Sequence, residues 1–177
     1  VITKGYPIRP LGDVFSAIGK GDLFGLPIPV AIFIGSGAFL IWLLTQTKFG
    51  RNIFAVGGNR DASILAGIPV KRVELAAFGL AGMFSALAGI LYASRMDAGQ
   101  PNVGEGWLMG AITAAILGGT SLRGGQGSIV GTMLGALLLS VLTNGTVLLN
   151  VSGFWQRVIV GFVVLLAVLV DLLRSEK

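Results

Sequence analysis

Cysteine and histidine are both absent from the 177 residues. No disulfide framework, thiolate nucleophile, imidazole base or imidazole metal ligand is available, which excludes zinc chemistry and Ser-His or Cys-His catalysis. Charge is scarce as well. Only 12% of residues are Asp, Glu, Lys or Arg, while 54% are hydrophobic and the mean hydropathy is +0.85. Soluble domains carry about a quarter charged residues, so the composition defines an all-α, polytopic helical membrane protein lying in a lipid bilayer. The net charge of +5 does not signify nucleic acid. Most of the base is concentrated in one loop between apolar runs, with no aromatic-interleaved basic patch. The apolar runs hold no central Asp, Glu, Lys or Arg. Ion-coupled carriers and paired-aspartate membrane proteases place such groups within the membrane, so the chain carries no engine of its own. No catalytic, metal or cofactor residues are expected.

The basic loop runs from Thr47 to Arg72 and carries Lys48, Arg51, Arg60, Lys71 and Arg72 against Asp61, five minus one, a balance of +4. A short basic loop between two spans lies on the cytoplasmic side. Inside it, Gly57, Gly58 and Asn59 precede a short helical pattern that ends at Gly67 and Pro69. Asn59 suits the N-cap, Asp61 suits the first turn, and Ala62, Ile64, Leu65 and Ile68 give the helix an apolar side. Such a helix is either an ordinary connection or something for another protein to grip.

About five membrane-embedded helices are expected, one of them short or broken. Residues 1–26 form a Gly- and Pro-broken connection with a short interfacial helix near Leu11 to Ile18. Spans follow at Pro27 to Thr45 and Val73 to Ser94. Trp107 to Leu117 is too short to cross, since a crossing needs about 20 residues. Ser128 to Leu149, ended or bent at Asn144 and Gly145, and Phe154 to Leu173 complete the set. Tyr92 reads as an interface anchor. Small residues recur every four positions, including Ala81, Ser85 and Gly89; Gly110 and Ala114; and Gly127, Gly131 and Gly135, which allows close helix approach. The segment GGTSLRGGQG (118–127) lacks the Gly-Lys-Ser/Thr ending of a phosphate loop and reads as a tight turn. Asp97, Gln100, Asn102 and Glu105 lie in a loop placed outside by the count of crossings, available to an external partner or simply solvated.

Three blocks, GRNIFAVGGNRDASILAGIPV, LAGILYASRMDAGQPNVGEGW and AAILGGTSLRGGQGSIVGTMLGALLLSVLTNGTVLLNVSGFWQ, resemble the permease subunit of bacterial ribose-type ATP-binding-cassette (ABC) importers. The likeness runs from about Phe49 to the C-terminus. Permeases of that family are about twice this length, so the chain resembles a C-terminal half or a truncated copy, one transmembrane permease domain over residues 1–177. The resemblance implies that residues 57–68 form the cytoplasmic coupling segment that docks into a separate ATPase subunit. It also implies a periplasmic sugar-binding protein touching the outer loop, a second permease copy, and a bacterial inner-membrane location. Alternatives at this point are a permease for branched amino acids or nucleosides, a passive channel or facilitator, and a non-transporting assembly or anchor protein.

Overall fold

The computed structural model describes residues 12–23, 25–100, 104 and 106–175. The expectations placed on Asn102, Glu105 and residues 1–11 fall outside these. Eight helices account for nearly all of the described fold, with one minimal antiparallel ribbon, Asp22–Leu23 paired to Leu26–Pro27, which the apolar pattern did not announce. The helices are α1 (Asp13–Lys20), α2 (Ile28–Gln46), α3 (Lys48–Gly58), α4 (Arg60–Leu65), α5 (Val70–Met96), α6 (Trp107–Leu117), α7 (Ile129–Leu148) and α8 (Gly153–Ser175).

Among the described residues, α2, α5 and α7 are long and apolar enough to cross a bilayer, while α6 is a shorter apolar helix. At 1.5 Å per residue, the 27 residues of α5 reach about 40 Å and the 11 of α6 only about 16 Å.

Lys48 to Gly58, expected as part of a basic loop, is a helix. The signal was available, because Phe49, Ile53 and Val56 fall four and three apart and turn to the half-buried side, while Lys48, Arg51 and Ala55 are exposed. Thr47 makes the joint between α2 and α3. Its hydroxyl donates to the Leu43 carbonyl (2.6 Å) and accepts from the Gly50 amide (3.2 Å), closing one helix and opening the next. Gly50 then lies directly against the Leu44 backbone, so the corner tolerates no side chain there. Asn144 and Gly145 do not end the fourth span either, since α7 continues to Leu148.

Pairing of the helices follows from small residues and hydroxyls. α6 and α7 form an antiparallel hairpin in which Gly131 abuts Gly118 and Gly135 abuts the Ala114 carbonyl. α8 packs back on α6 and α7, and α7 also meets α2, where Met133 lies over Gly37. α1 crosses the C-terminal end of α5, where the fully buried Ser94 hydroxyl donates to the Phe15 carbonyl. Thr113, also fully buried, donates to Met109 O (2.6 Å), so its hydroxyl is satisfied within its own helix.

One end of the molecule gathers α3, α4, the start of α5 and the α6–α7 turn. It carries Lys48, Arg51, Arg60, Lys71, Arg72 and Arg123 against Asp61 and Glu74, six bases to two acids, a balance of +4. The end of α8 adds Asp171 and Arg174, which cancel. The opposite end, among described residues, has Lys20, Arg95 and Arg157 against Asp13, Asp22 and Asp97, a balance of zero. Base collects on the cytoplasmic side of short loops. In a membrane preparation of the full-length protein, single cysteines at Arg60 and Arg123 are therefore expected to react with an impermeant thiol reagent only from the cytoplasmic side, and one at Asn150 only from the outside. Labelling of Arg60 and Asn150 from the same side would contradict this orientation.

Candidate functional site

The site is built on α4, six residues long at the basic end. Asn59 caps it, its side-chain oxygen accepting from the Ala62 amide (2.9 Å), while Asp61 sits in the first turn. Ser63, unremarked in the sequence, is the buried residue of this helix, and its hydroxyl donates to the Asn59 carbonyl (2.8 Å). Gly67 closes the helix at φ 77°, with Ile68 N donating to Ser63 O (3.0 Å). Only a residue without Cβ adopts that conformation cheaply.

α4 is thus a self-contained unit, and it turns apolar side chains away from its own chain. Leu65 is 90% exposed and Ile64 52%, whereas Ile68 is half-buried. Arg60 Nε donates to Glu74 Oε1 (3.0 Å), tying α4 to α5. The Glu74 hydrogen bond holds the Arg60 guanidinium still further toward its charged form. Both side chains remain open to solvent, so the pair orients α4 more than it stabilises it.

Gly57 and Gly58 end α3 immediately before this helix. Gly57 touches the turn between α6 and α7: a Cβ on Gly57 would lie 2.7 Å from the Gly125 amide nitrogen. Gly124 and Gly125 of that turn face the Gly57–Gly58 backbone. Gly119, Gly124 and Gly125 hold φ of 83°, 88° and 73°.

The small-residue positions divide into two groups. Ala114, Gly131 and Gly135 meet across the α6–α7 hairpin, and Gly127 lies against the Thr120 side chain. Ala81, Ser85 and Gly89 on α5 are exposed, and a Cβ at Gly89 or Gly110 would meet nothing within 4 Å. The middle of α5 is bare among the described residues, with Leu75, Phe78 and Met83 all at least 70% exposed.

Beside that bare face, toward the end opposite α4, Ser85, Gly89, Tyr92, Gln100, Trp107 and Ala111 line a cavity of about 670 Å³. Ligand pockets for small molecules span about 300–1,000 Å³. Tyr92 meets Trp107 edge-on, ring centroids 5.0 Å apart. Tyr92, expected as an interface anchor, forms an aromatic pair with Trp107. Asp97 caps α5 in the left-handed region at φ 48°, and Gln100 is exposed on the cavity rim.

Long apolar helices, a basic end bearing a capped helix, and a cavity between α5 and α6 define a multi-pass membrane protein of the permease class. Residues 5–168 match the family model described as "Branched-chain amino acid transport system / permease component", and the chain belongs to that family. It is 45% identical over 177 residues to the ribose import permease protein RbsC of Bacillus subtilis (strain 168), covering 99% of this chain and 55% of that protein. The ribose import permease protein RbsC of Escherichia coli (strain K12) is 43% identical, over 97% of this chain and 54% of that protein. The L-arabinose transport system permease protein AraH of the same strain is 42% identical, over 99% and 54%. The chain therefore spans about half the length of the curated relatives it matches. No solved structure matches it.

Proposed function

We propose that this chain is the permease part of an ATP-driven monosaccharide importer in a bacterial inner membrane. In this reading α4 docks into a separate ATPase subunit, a periplasmic binding protein delivers the sugar near Asp97, Gln100, Asn102 and Glu105, and a second permease copy completes the pathway. The chain itself is not an enzyme, and hydrolysis belongs to the partner. The carrying observation is Leu65, 90% exposed on a capped helix at the basic end. An apolar side chain held out by so rigid a unit fits burial by a partner. The names of the relatives support a pentose as cargo. The family model is named for branched-chain amino acid transport, so that cargo is the reading the uptake test separates.

ATP binding on the partner would shift the spans between two arrangements, and the sugar biases them only as far as it binds one better. The test is uptake of labelled ribose, arabinose and leucine by cells lacking their own permease and supplied with the full-length protein. Ribose or arabinose uptake that disappears with the ATPase partner is the expected result. Uptake of leucine alone would replace the sugar reading with the amino-acid one. Sugar uptake that persists without the ATPase would make the protein a passive facilitator.

A further inference from the structure

The geometry points to the contact of Gly57 with Gly124 and Gly125 as a backbone junction that makes the coupling helix α4 and the α6–α7 hairpin move as one body. This rests on the reading of α4 as the ATPase-docking element.

Three observations converge on it. First, the approach is closed to side chains from both sides. A Cβ on Gly57 would stand 2.7 Å from Gly125 N, one on Gly124 2.5 Å from Gly57 O, and one on Gly125 2.7 Å from Gly58 Cα. Real Cβ atoms do not approach backbone that closely. Second, the junction is rigidly connected on each side. Toward α4, Gly57 and Gly58 lead straight into the Asn59 cap. Toward the hairpin, Ser121 N donates to Gln126 O (3.1 Å), the Thr120 and Thr132 hydroxyls meet at 3.3 Å, and Gly118 lies against Gly131. Third, what lies beyond the junction is relevant to transport: α6 contributes Trp107, Leu108 and Ala111 to the cavity wall.

Physically, a contact between two backbones has no rotamers with which to absorb a displacement. Close-packed matter transmits strain, and a small shift at one place becomes a rearrangement elsewhere. The other link from α4, the exposed Arg60–Glu74 pair, joins two flexible side chains and can stretch. The junction gives α4 a stiff route to α6 and α7, beside its direct chain connection to α5.

Gly57 and Gly58 provide a matched pair of substitutions. Both lie in α3 at ordinary φ, where alanine favours helix over glycine. A Cβ on Gly58 meets only Gly125 Cα, at an ordinary 3.8 Å. In the full-length permease reconstituted with its ATPase, Gly57→Ala is expected to insert, retain the ATPase and leave ATP hydrolysis running, while sugar uptake falls roughly 5- to 150-fold, the usual range of an allosteric coupling. Gly58→Ala, whose added Cβ makes only an ordinary contact, should lose several-fold less uptake than Gly57→Ala. Normal transport by Gly57→Ala, or an equal loss in Gly58→Ala, would overturn the junction. A second measurement leaves the junction itself untouched. Spin labels on cysteines at the exposed Ala66 and Leu122 should give the same distance distribution in nucleotide-free and ATP-trapped complexes; a change in that distance would also overturn it. The two failures are separable. If Leu65→Asp releases the ATPase while Gly57→Ala transports normally, the junction alone fails. If Leu65→Asp keeps the ATPase and transports, the docking reading fails and the junction loses its premise.

Discussion

Leu65→Asp in the full-length permease is expected to release the ATPase and abolish sugar uptake while membrane insertion stays intact. The residue is 90% exposed, so the substitution removes almost nothing from the fold of this chain. Its whole effect must come from what covers it. A carboxylate forced into an apolar groove loses its hydration without a matching charge. Removing a central interface side chain costs about 2–4 kcal/mol, or roughly 30- to 1,000-fold in affinity. Ile64→Asp should act in the same direction and more weakly, because Ile64 is only 52% exposed and offers less surface to a partner. Arg60→Ala should be milder still, since it breaks one solvent-exposed ion pair with Glu74. ATPase co-purification and uptake, each normalised to inserted protein, provide the readouts. Retention of the ATPase by both aspartate variants would mean that α4 is not the docking element.

Gly135→Leu is expected to prevent assembly of the α6–α7 hairpin. Gly135 is buried against the Ala114 carbonyl, with Gly118 N 3.1 Å from where its Cβ would stand. These are backbone atoms, which cannot swing aside. Overpacking a tight site costs about 1–3 kcal/mol even where side chains yield, and this one meets a main chain. The expected result is a large drop in monodisperse, detergent-extracted protein and in its unfolding temperature. Gly131→Leu, facing the Gly118 backbone, should behave alike. Val141→Leu is the control on the same helix, because Val141 is 70% exposed. Equal stability of Gly135→Leu and Val141→Leu would remove the close-packing explanation of the hairpin.

Much of this architecture was legible before any coordinates. The bounds of α6 and the Asn59 cap follow from local rules: an apolar run between glycines, and a side chain able to bond the amides of a helix start. The helix α3 is harder to read, because Lys48 and Arg51 interleave its Phe49, Ile53, Val56 spacing and give it the look of a basic loop. What no local rule could supply was which surfaces meet. The same four-residue spacing of small side chains occurs on α5 and on α7. On α7 it faces α6; on α5 it faces open space or the cavity. The difference depends on partners remote in sequence, and the chain spans about half of its relatives. For the same reason the Tyr92–Trp107 pair and the Gly57–Gly125 contact join residues far apart in the chain. The buried hydroxyls of Ser63, Ser94 and Thr113 were silent too, since a satisfied serine or threonine looks like any other in a sequence.

The most direct test of the docking of α4 is a photo-crosslinking residue placed at Leu65 of the full-length permease in its native membrane. Irradiation should give an adduct to the ATPase subunit, and the same residue at Phe162 on α8 should give no ATPase adduct. Adducts only to lipid from Leu65, with the ATPase present and transport active, would contradict it.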